Sequence, residues 1–325
     1  MEKRGKKPLK KIIVQIPAYN ESATISKVIS NIPRRVNNHL VEVLVIDDGS
    51  TDNTIQVARK AGADHIISNI TNKGLGVAFR KGIEHALSLD ADIIVNIDGD
   101  GQFNPKDIEA LIRPILNGEA GMVTATRFST QKPQNMPYIK KWGNRRFTNL
   151  ISRVTGQHFT DTQCGFRAYS REAALKLNLF GNFTYTQEAF IDLVGKGITV
   201  KEVPLTVVYH KDRKSKLTGN LSRYGFKSLG IIARTTRDTQ PLTFFGLPGF
   251  ISFILGVIGG LYTLYFWLIN HVTTPVRMLF NVSVFLVIFG ISLAILGLLA
   301  DMLKRISRTQ EEVLYHLKKQ ELDKR

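Results

Sequence analysis

The sequence predicts an α/β domain on a doubly wound sheet, followed by a pair of membrane-crossing helices. Three observations carry this. From residue 10 onward, short β-branched runs alternate with longer helical patterns, as in successive βαβ units. Polar turns rich in Asp, Asn, Gly and Ser join these runs to the helices that follow. Near the other end, 244–269 and 278–300 contain no charged residue, and each exceeds the roughly 20 residues a helix needs to cross a hydrocarbon core.

The elements follow in order. Residues 12–16, 41–46, 66–67 and 93–97 read as strands, and 21–31, 53–61, 75–89 and 105–116 read as helices. Beyond residues 122–127 the pattern changes to a basic, polar segment at 132–153, followed by 161–169 and a strand-like stretch at 199–209. Leu217, Leu221 and Tyr224 are interleaved with Lys216, Arg223 and Lys227, and 229–232 repeats the theme after Gly225. This predicts an amphipathic helix lying in the membrane interface, with an ordinary helix packed on the domain as the alternative. The tail, 310–325, reads as a charged, solvated helix. The expected organisation is a soluble domain over 1–210, a basic interfacial segment over 211–240, a transmembrane hairpin over 241–301 and a charged tail over 302–325.

A net charge of +17 on 325 residues would suit nucleic acid, but the cations concentrate in the first eleven positions and around 211–237, beside the expected membrane. Anionic lipid is therefore the expected partner, and no nucleic acid. Arg234 and Arg237 precede the hairpin, and Lys304, Arg305 and Arg308 follow it. That bias places the catalytic domain and both termini in the cytoplasm. A single cysteine, Cys164, excludes an intramolecular disulfide and agrees with a reducing compartment. The apolar run 12–16 behind the basic start is too short for the core of a signal peptide. Two spanning helices per chain also allow a homo-oligomer.

The chemistry concentrates at strand ends. The run 93–97 ends in Asp98-Gly99-Asp100-Gly101-Gln102, and ligands of open α/β sheets bind beyond the carboxyl ends of strands. Two carboxylates there suit a hard cation, Mg or Mn, bridging to a phosphorylated substrate. An Asp-Gly surface turn is the alternative. Two more polar turns, Pro17-Ala18-Tyr19-Asn20 and Asp47-Asp48-Gly49-Ser50-Thr51-Asp52, should converge on the same crevice, because right-handed crossovers bring consecutive strand ends to one edge.

Together with Asp161-Thr-Gln-Cys-Gly-Phe-Arg167, these motifs resemble family 2 glycosyltransferases, in the dolichol-phosphate mannosyltransferase and polyprenyl-phosphate glycosyltransferase branch, from about residue 10 to 218. The resemblance implies a GT-A fold, an NDP-sugar donor (GDP-mannose or UDP-glucose), a divalent cation and inverting transfer to a polyprenyl phosphate. It implies that Pro17, Tyr19 and Glu21 line the nucleotide pocket, that Asp48 contacts the nucleoside, and that Asp98, Asp100 and Gln102 bind the metal, with Asp98 and Gly99 beside the donor. Lys73-Gly74 resembles another donor-side motif, and a helix-start turn is the alternative. Arg127 matches the arginine facing the acceptor phosphate.

The match is incomplete in two places. Lys141 and Arg145 stand before Asn149 where the family carries Arg and Ser, so they are the expected acceptor-phosphate clamp. The family's Arg-x-Gly-Gly-x-Ser-Lys loop appears as 210–216, where Ser215 and Lys216 match, the glycines do not, and Arg213 is the expected diphosphate contact. Asp161 and Glu188 are sugar- or acceptor-side candidates, with a cap or ion pair as the alternative for each. No obligatory base is expected, because a monoalkyl phosphate is mostly anionic at neutral pH. The competing readings are a family 2 transferase extending a polysaccharide or glycolipid, and an inactive nucleotide-sugar-binding protein. No Gln-x-x-Arg-Trp segment of processive synthases follows Asp161.

Overall fold

The computed structural model describes residues 9–128, 138–179, 185–205, 237 and 240–324. The chain divides into two compact units, Met1–Arg213 together with Leu314–Arg325, and Lys214–Val313. The expected interfacial helix over 216–232 lies outside the described residues, as do Arg213 and Lys216.

The first unit is a mixed sheet of eight described strands between helical layers. Its strands are β1 (Lys11–Ala18), β2 (Arg35–Val36), β3 (His39–Asp47), β4 (His65–Ser68), β5 (Ile93–Asn96), β6 (Met122–Thr126), β7 (Arg167–Ser170) and β8 (Val200–Pro204). Their order is β2-β3-β1-β5-β7-β6-β8, with β4 also paired to β3. Strands β1, β3 and β5 run parallel, with Ala18 beside Asp47 and Gln15 beside Asn96. Their carboxyl ends therefore share one edge. The sequence did not disclose β7, which enters antiparallel between β5 and β6.

Alternation along β1 explains why both faces are covered. Ile12, Val14 and Ile16 point into a core shared with α1 (Ile25–Ser30), α2 (Thr54–Lys60) and α4 (Ile108–Leu116). Ile13 points into the opposite core, shared with α3 (Leu75–Ser88), α6 (Arg171–Lys176) and α7 (Glu188–Gly195). Strands buried on both faces read as continuous apolar runs. The helix expected over 21–31 is shorter, because 22–24 are spent in turn. The basic segment resolves into α5 (Tyr138–Thr155).

The second unit holds α8 (Pro241–Asn270) and α9 (Arg277–Asp323) up to Val313, and both helices are long and apolar enough to cross a membrane. Small residues bring them together. A Cβ on Gly256 would lie 2.7 Å from the Ser283 carbonyl oxygen, and one on Gly290 2.7 Å from that of Gly249. The Ser252 hydroxyl donates to the Leu286 carbonyl at 3.0 Å. Close backbone approach through small residues is how helices associate where lipid removes the hydrophobic driving force. The tail is not solvated along its whole length: Tyr315 and Leu322 pack against the α3 side core, and Lys318 Nζ donates to Asn178 Oδ1 at 3.1 Å.

Gly49 is needed for two reasons, its φ of +76° and an added Cβ only 2.6 Å from the Thr71 carbonyl carbon. Gly49→Ala should destabilise the first unit by at least about 2 kcal/mol, since left-handed strain and a backbone clash add. Urea unfolding followed by circular dichroism measures it; an unchanged midpoint would contradict the close approach.

Candidate active site

Three strand-end turns are laced together by side-chain hydrogen bonds. Asn20 N donates to Ser50 Oγ at 2.9 Å, Glu21 N to Thr54 Oγ1 at 2.9 Å, and Ser22 N to Asp52 Oδ2 at 3.2 Å. Burial works against ionisation of Asp52, yet the hydrogen bonds from Thr54 and Ser22 draw its carboxyl down to about 2. On the other side of β1, Thr24 Oγ1 donates to the Gly99 carbonyl at 2.8 Å. The turns at 17–22, 47–54 and 98–102 thus form one rim.

Asp48 is buried, and its oxygens accept from Asn69 Nδ2 (2.8 Å), Lys73 N (3.0 Å) and Gly74 N (2.8 Å). It anchors the turn that starts α3. A carboxylate offers about four lone-pair sites, so at most one is left for a ligand. The helix-start reading of Lys73-Gly74 is the one the hydrogen bonds display. Pro17 is buried beneath the rim, whereas Tyr19 is exposed at its surface.

Asp98 and Asp100 stand at the end of β5, each partly open to solvent. Gln102 N donates to Asp100 Oδ1 at 3.1 Å. Burial drives the Asp98 carboxyl upward, the charge of Asp100 adds to the rise, and Arg167 and Arg127 offset part of it, leaving it at about 7. Among the described residues, no three His, Cys, Asp or Glu side chains gather into a metal cluster. Two carboxylates fit a hard cation that takes its remaining ligands from water and phosphate oxygens. The crowding of the two carboxylates is what such a cation would relieve.

The floor under Asp98 comes from Asn96, from Tyr185 and from the Gly165 and Arg167 end of the 161–167 motif. Asn96, two residues earlier on the same face of β5, donates through Nδ2 to the Gly165 carbonyl (2.9 Å) and to Tyr185 Oη (2.8 Å), and accepts from Gln15 Nε2 (3.0 Å). Arg167 is fully buried, donates to the carbonyls of Cys164 and Thr162 at 2.8 and 3.0 Å, and lies 4.7 Å from the Phe190 ring centre. Gly165 presses on the carboxylate itself, since a Cβ there would lie 2.8 Å from Asp98 Oδ2. A polar residue inside a β-branched strand was the only sequence signal for Asn96. Cys164 is no nucleophile: burial pushes its thiol up to about 12.

Arg127 is held by a buried carboxylate. Its Nε and Nη2 donate to Asp161 at 2.5 and 2.9 Å, and Asp161 also accepts from Asn144 Nδ2 at 3.2 Å. Glu202 on β8 accepts from the backbone N–H of Asp161 at 2.8 Å and braces the loop from behind. The ion-pair alternative for Asp161 is therefore the observed one. Lys141 and Arg145 lie on the exposed face of α5, and Glu188 opens α7.

Residues 13–177 match the family model described as Glycosyl transferase family 2. The chain belongs to that family. It is 32% identical to the UDP-N-acetylglucosamine–dolichyl-phosphate N-acetylglucosaminyltransferase of Methanococcus voltae, over 67% of this chain and 93% of that protein. It is 29% identical to Glycosyltransferase AglJ of Haloferax volcanii, over 92% of this chain and 95% of that protein. Among solved structures it resembles glucosyl-3-phosphoglycerate synthase from Mycobacterium tuberculosis in complex with Mn2+, uridine diphosphate and phosphoglyceric acid, with a TM-score of 0.52 at 25% identity, covering 71% of this chain and 78% of that one. The family 2 assignment makes the chain a glycosyltransferase with a GT-A-type sheet. It fits the branch whose members act on polyprenyl phosphates.

A cation held by this family 2 enzyme through Asp98 would feel Gly165. Gly165→Ala should weaken Mn2+ binding about tenfold or more, because small shifts of the groups that orient a ligand cost about 10- to 100-fold. Paramagnetic resonance of free Mn2+ reads this directly. Unchanged affinity in a folded variant would detach Asp98 from the metal.

Proposed function

We propose that this enzyme transfers a hexose from an NDP-sugar to a polyprenyl phosphate with inversion, using Mg or Mn, at the cytoplasmic membrane face. The observation that carries the reading is the Asp98-Asp100 pair set inside a rim made by the turns of β1, β3 and β5, in a chain with two apolar helices. Mannose and glucose are the sugars first expected; the Methanococcus voltae relative adds N-acetylglucosamine to the panel worth testing.

In this reading, Pro17, Tyr19 and Glu21 form the nucleotide side of the pocket, with Asp48 holding its wall and contributing its remaining lone pair. Asp98, Asp100 and Gln102 would hold the cation. When bound, it neutralises charge developing on the departing nucleoside diphosphate, as a Lewis acid does. Arg213 and Lys216 add cationic donors to the diphosphate. On the acceptor side, the phosphate oxygen is already anionic and needs aiming more than deprotonation. Arg127, fixed in orientation by its two bonds to Asp161, aims it, with Lys141 and Arg145 supplying further charge from α5. Attack on the anomeric carbon opposite the leaving group inverts its configuration.

The deciding experiment incubates membranes holding the enzyme with labelled GDP-mannose, UDP-glucose and UDP-N-acetylglucosamine plus polyprenyl phosphate. Label from one donor should become chloroform-soluble, and chelation should stop it. Label entering a polymer, or none transferred, would overturn the acceptor assignment.

Two substitutions probe the roles. Asp100→Ala should lower kcat by at least about a hundredfold, since losing Lewis-acid stabilisation removes several kcal/mol, while unfolding stays unchanged; retained turnover at saturating metal would refute the site. Arg127→Ala should raise KM for the lipid phosphate by about tenfold or more, as loss of a charged hydrogen bond does. A change confined to donor affinity would contradict its acceptor role.

A further inference from the structure

Helix α5 divides cleanly into two faces. Asn144, Phe147, Thr148 and Ile151 are buried, and Asn144 and Thr148 hydrogen-bond to Asp161 and Thr162. That inner face ties the helix to the loop that holds Arg127. The outer face carries Trp142, Arg145, Arg146, Asn149 and Arg153, all exposed.

Trp142 is 55% exposed, and the Arg146 guanidinium lies 5.3 Å from its ring centre. No carboxylate occurs anywhere in the helix. Among the described residues, none of Lys141, Arg145, Arg146 and Arg153 pairs with an acidic side chain. What distinguishes this face is the combination of an exposed indole with cations that no carboxylate of the helix neutralises. Tryptophan favours the headgroup level of a bilayer, where its ring is buried and its N–H stays wet, and cations along the same face attract anionic lipid.

We infer that the outer face of α5 docks the catalytic unit onto an anionic bilayer surface, with Trp142 inserted among the headgroups and Arg146 and Arg153 beside it. The net charge of +17 complements such a surface, and the two apolar helices bring a bilayer to the chain. This face lies on the helix from which Lys141 and Arg145 would reach the acceptor phosphate. Docking would present a lipid-borne phosphate to them without lifting it from the membrane. The inference rests on the membrane part of the proposed function and is independent of the donor sugar.

The chain has two tryptophans, so Trp267→Phe leaves Trp142 as the sole reporter. The full-length variant is reconstituted into phosphatidylcholine vesicles with and without phosphatidylglycerol, each also prepared with brominated acyl chains. In phosphatidylglycerol vesicles, Trp142 emission should shift to the blue and be quenched by the brominated lipid, and high salt or the double variant Arg146→Gln/Arg153→Gln should remove most of both effects. Should Trp267→Phe fail to reconstitute, the difference between the native chain and Trp142→Phe reports the same residue. Emission at the water position with full iodide access in both vesicles would overturn the inference, as would lipid quenching indifferent to phosphatidylglycerol, or protection by added RNA in place of lipid. Unquenched Trp142 with intact sugar transfer sinks the docking alone; quenched Trp142 without transfer sinks the donor-acceptor reading alone.

Discussion

Two carboxylates held close together at the end of a buried strand are the constraint to which the soluble unit answers. Asp98 and Asp100 repel one another where protein replaces much of the water, and each ionised form raises the free energy of the other. Arg167 and Arg127 supply nearby positive charge, but each is already committed: Arg167 to two carbonyls and Arg127 to Asp161. They offset only part of the rise that burial, first, and the charge of Asp100, second, impose, which is why the Asp98 carboxyl settles at about 7. The negative charge that remains at the end of β5 would draw a cation of the kind proposed.

Rigidity around that pair comes from polar lacing more than from apolar packing. The rim hydrogen bonds from Asn20, Glu21, Ser22 and Thr24 reach across to the turns after β3 and β5, so the three strand ends behave as one surface. Beneath it, Gln15, Asn96, Tyr185 and the Gly165 carbonyl form a buried chain of hydrogen bonds. Donors and carboxylates held this way need little reorganisation when charge develops on a leaving group. The same logic extends to the residues after β6, where Glu202 fixes the loop of Asp161 and Asp161 fixes Arg127.

The second unit solves a different problem. α8 and α9 meet through Gly249, Gly256, Ser283 and Gly290, where backbones approach closely, the kind of contact that serves helices where lipid removes the gain from burying apolar side chains. Larger apolar residues such as Phe250, Leu261 and Phe285 are left facing outward. That distribution inverts a soluble core. It agrees with the charge-free composition of both segments.

The β-branched runs, their spacing and the turn residues were enough to name β1, β3, β4 and β5 and to mark β8 as strand-like, because alternation and strand-end polarity are local properties of the chain. The Asp98-Gly99-Asp100 turn and its meeting with the turns of β1 and β3 were legible for the same reason, since handed crossovers leave few other arrangements. The antiparallel insertion of β7, the commitment of Asp48 to the α3 turn, the locking of Arg127 by Asp161 and the roles of Asn96 and Arg167 were not legible. Apart from the short-range bonds of Arg167 to Cys164 and Thr162, each is a contact between residues at least 21 positions apart, and pairing at that range depends on which strands become neighbours. Periodicity and composition thus determine the class of fold, the rim and the two long apolar helices. Only tertiary packing decides which charges neutralise one another, because that depends on distance in space and on the water each neighbour excludes.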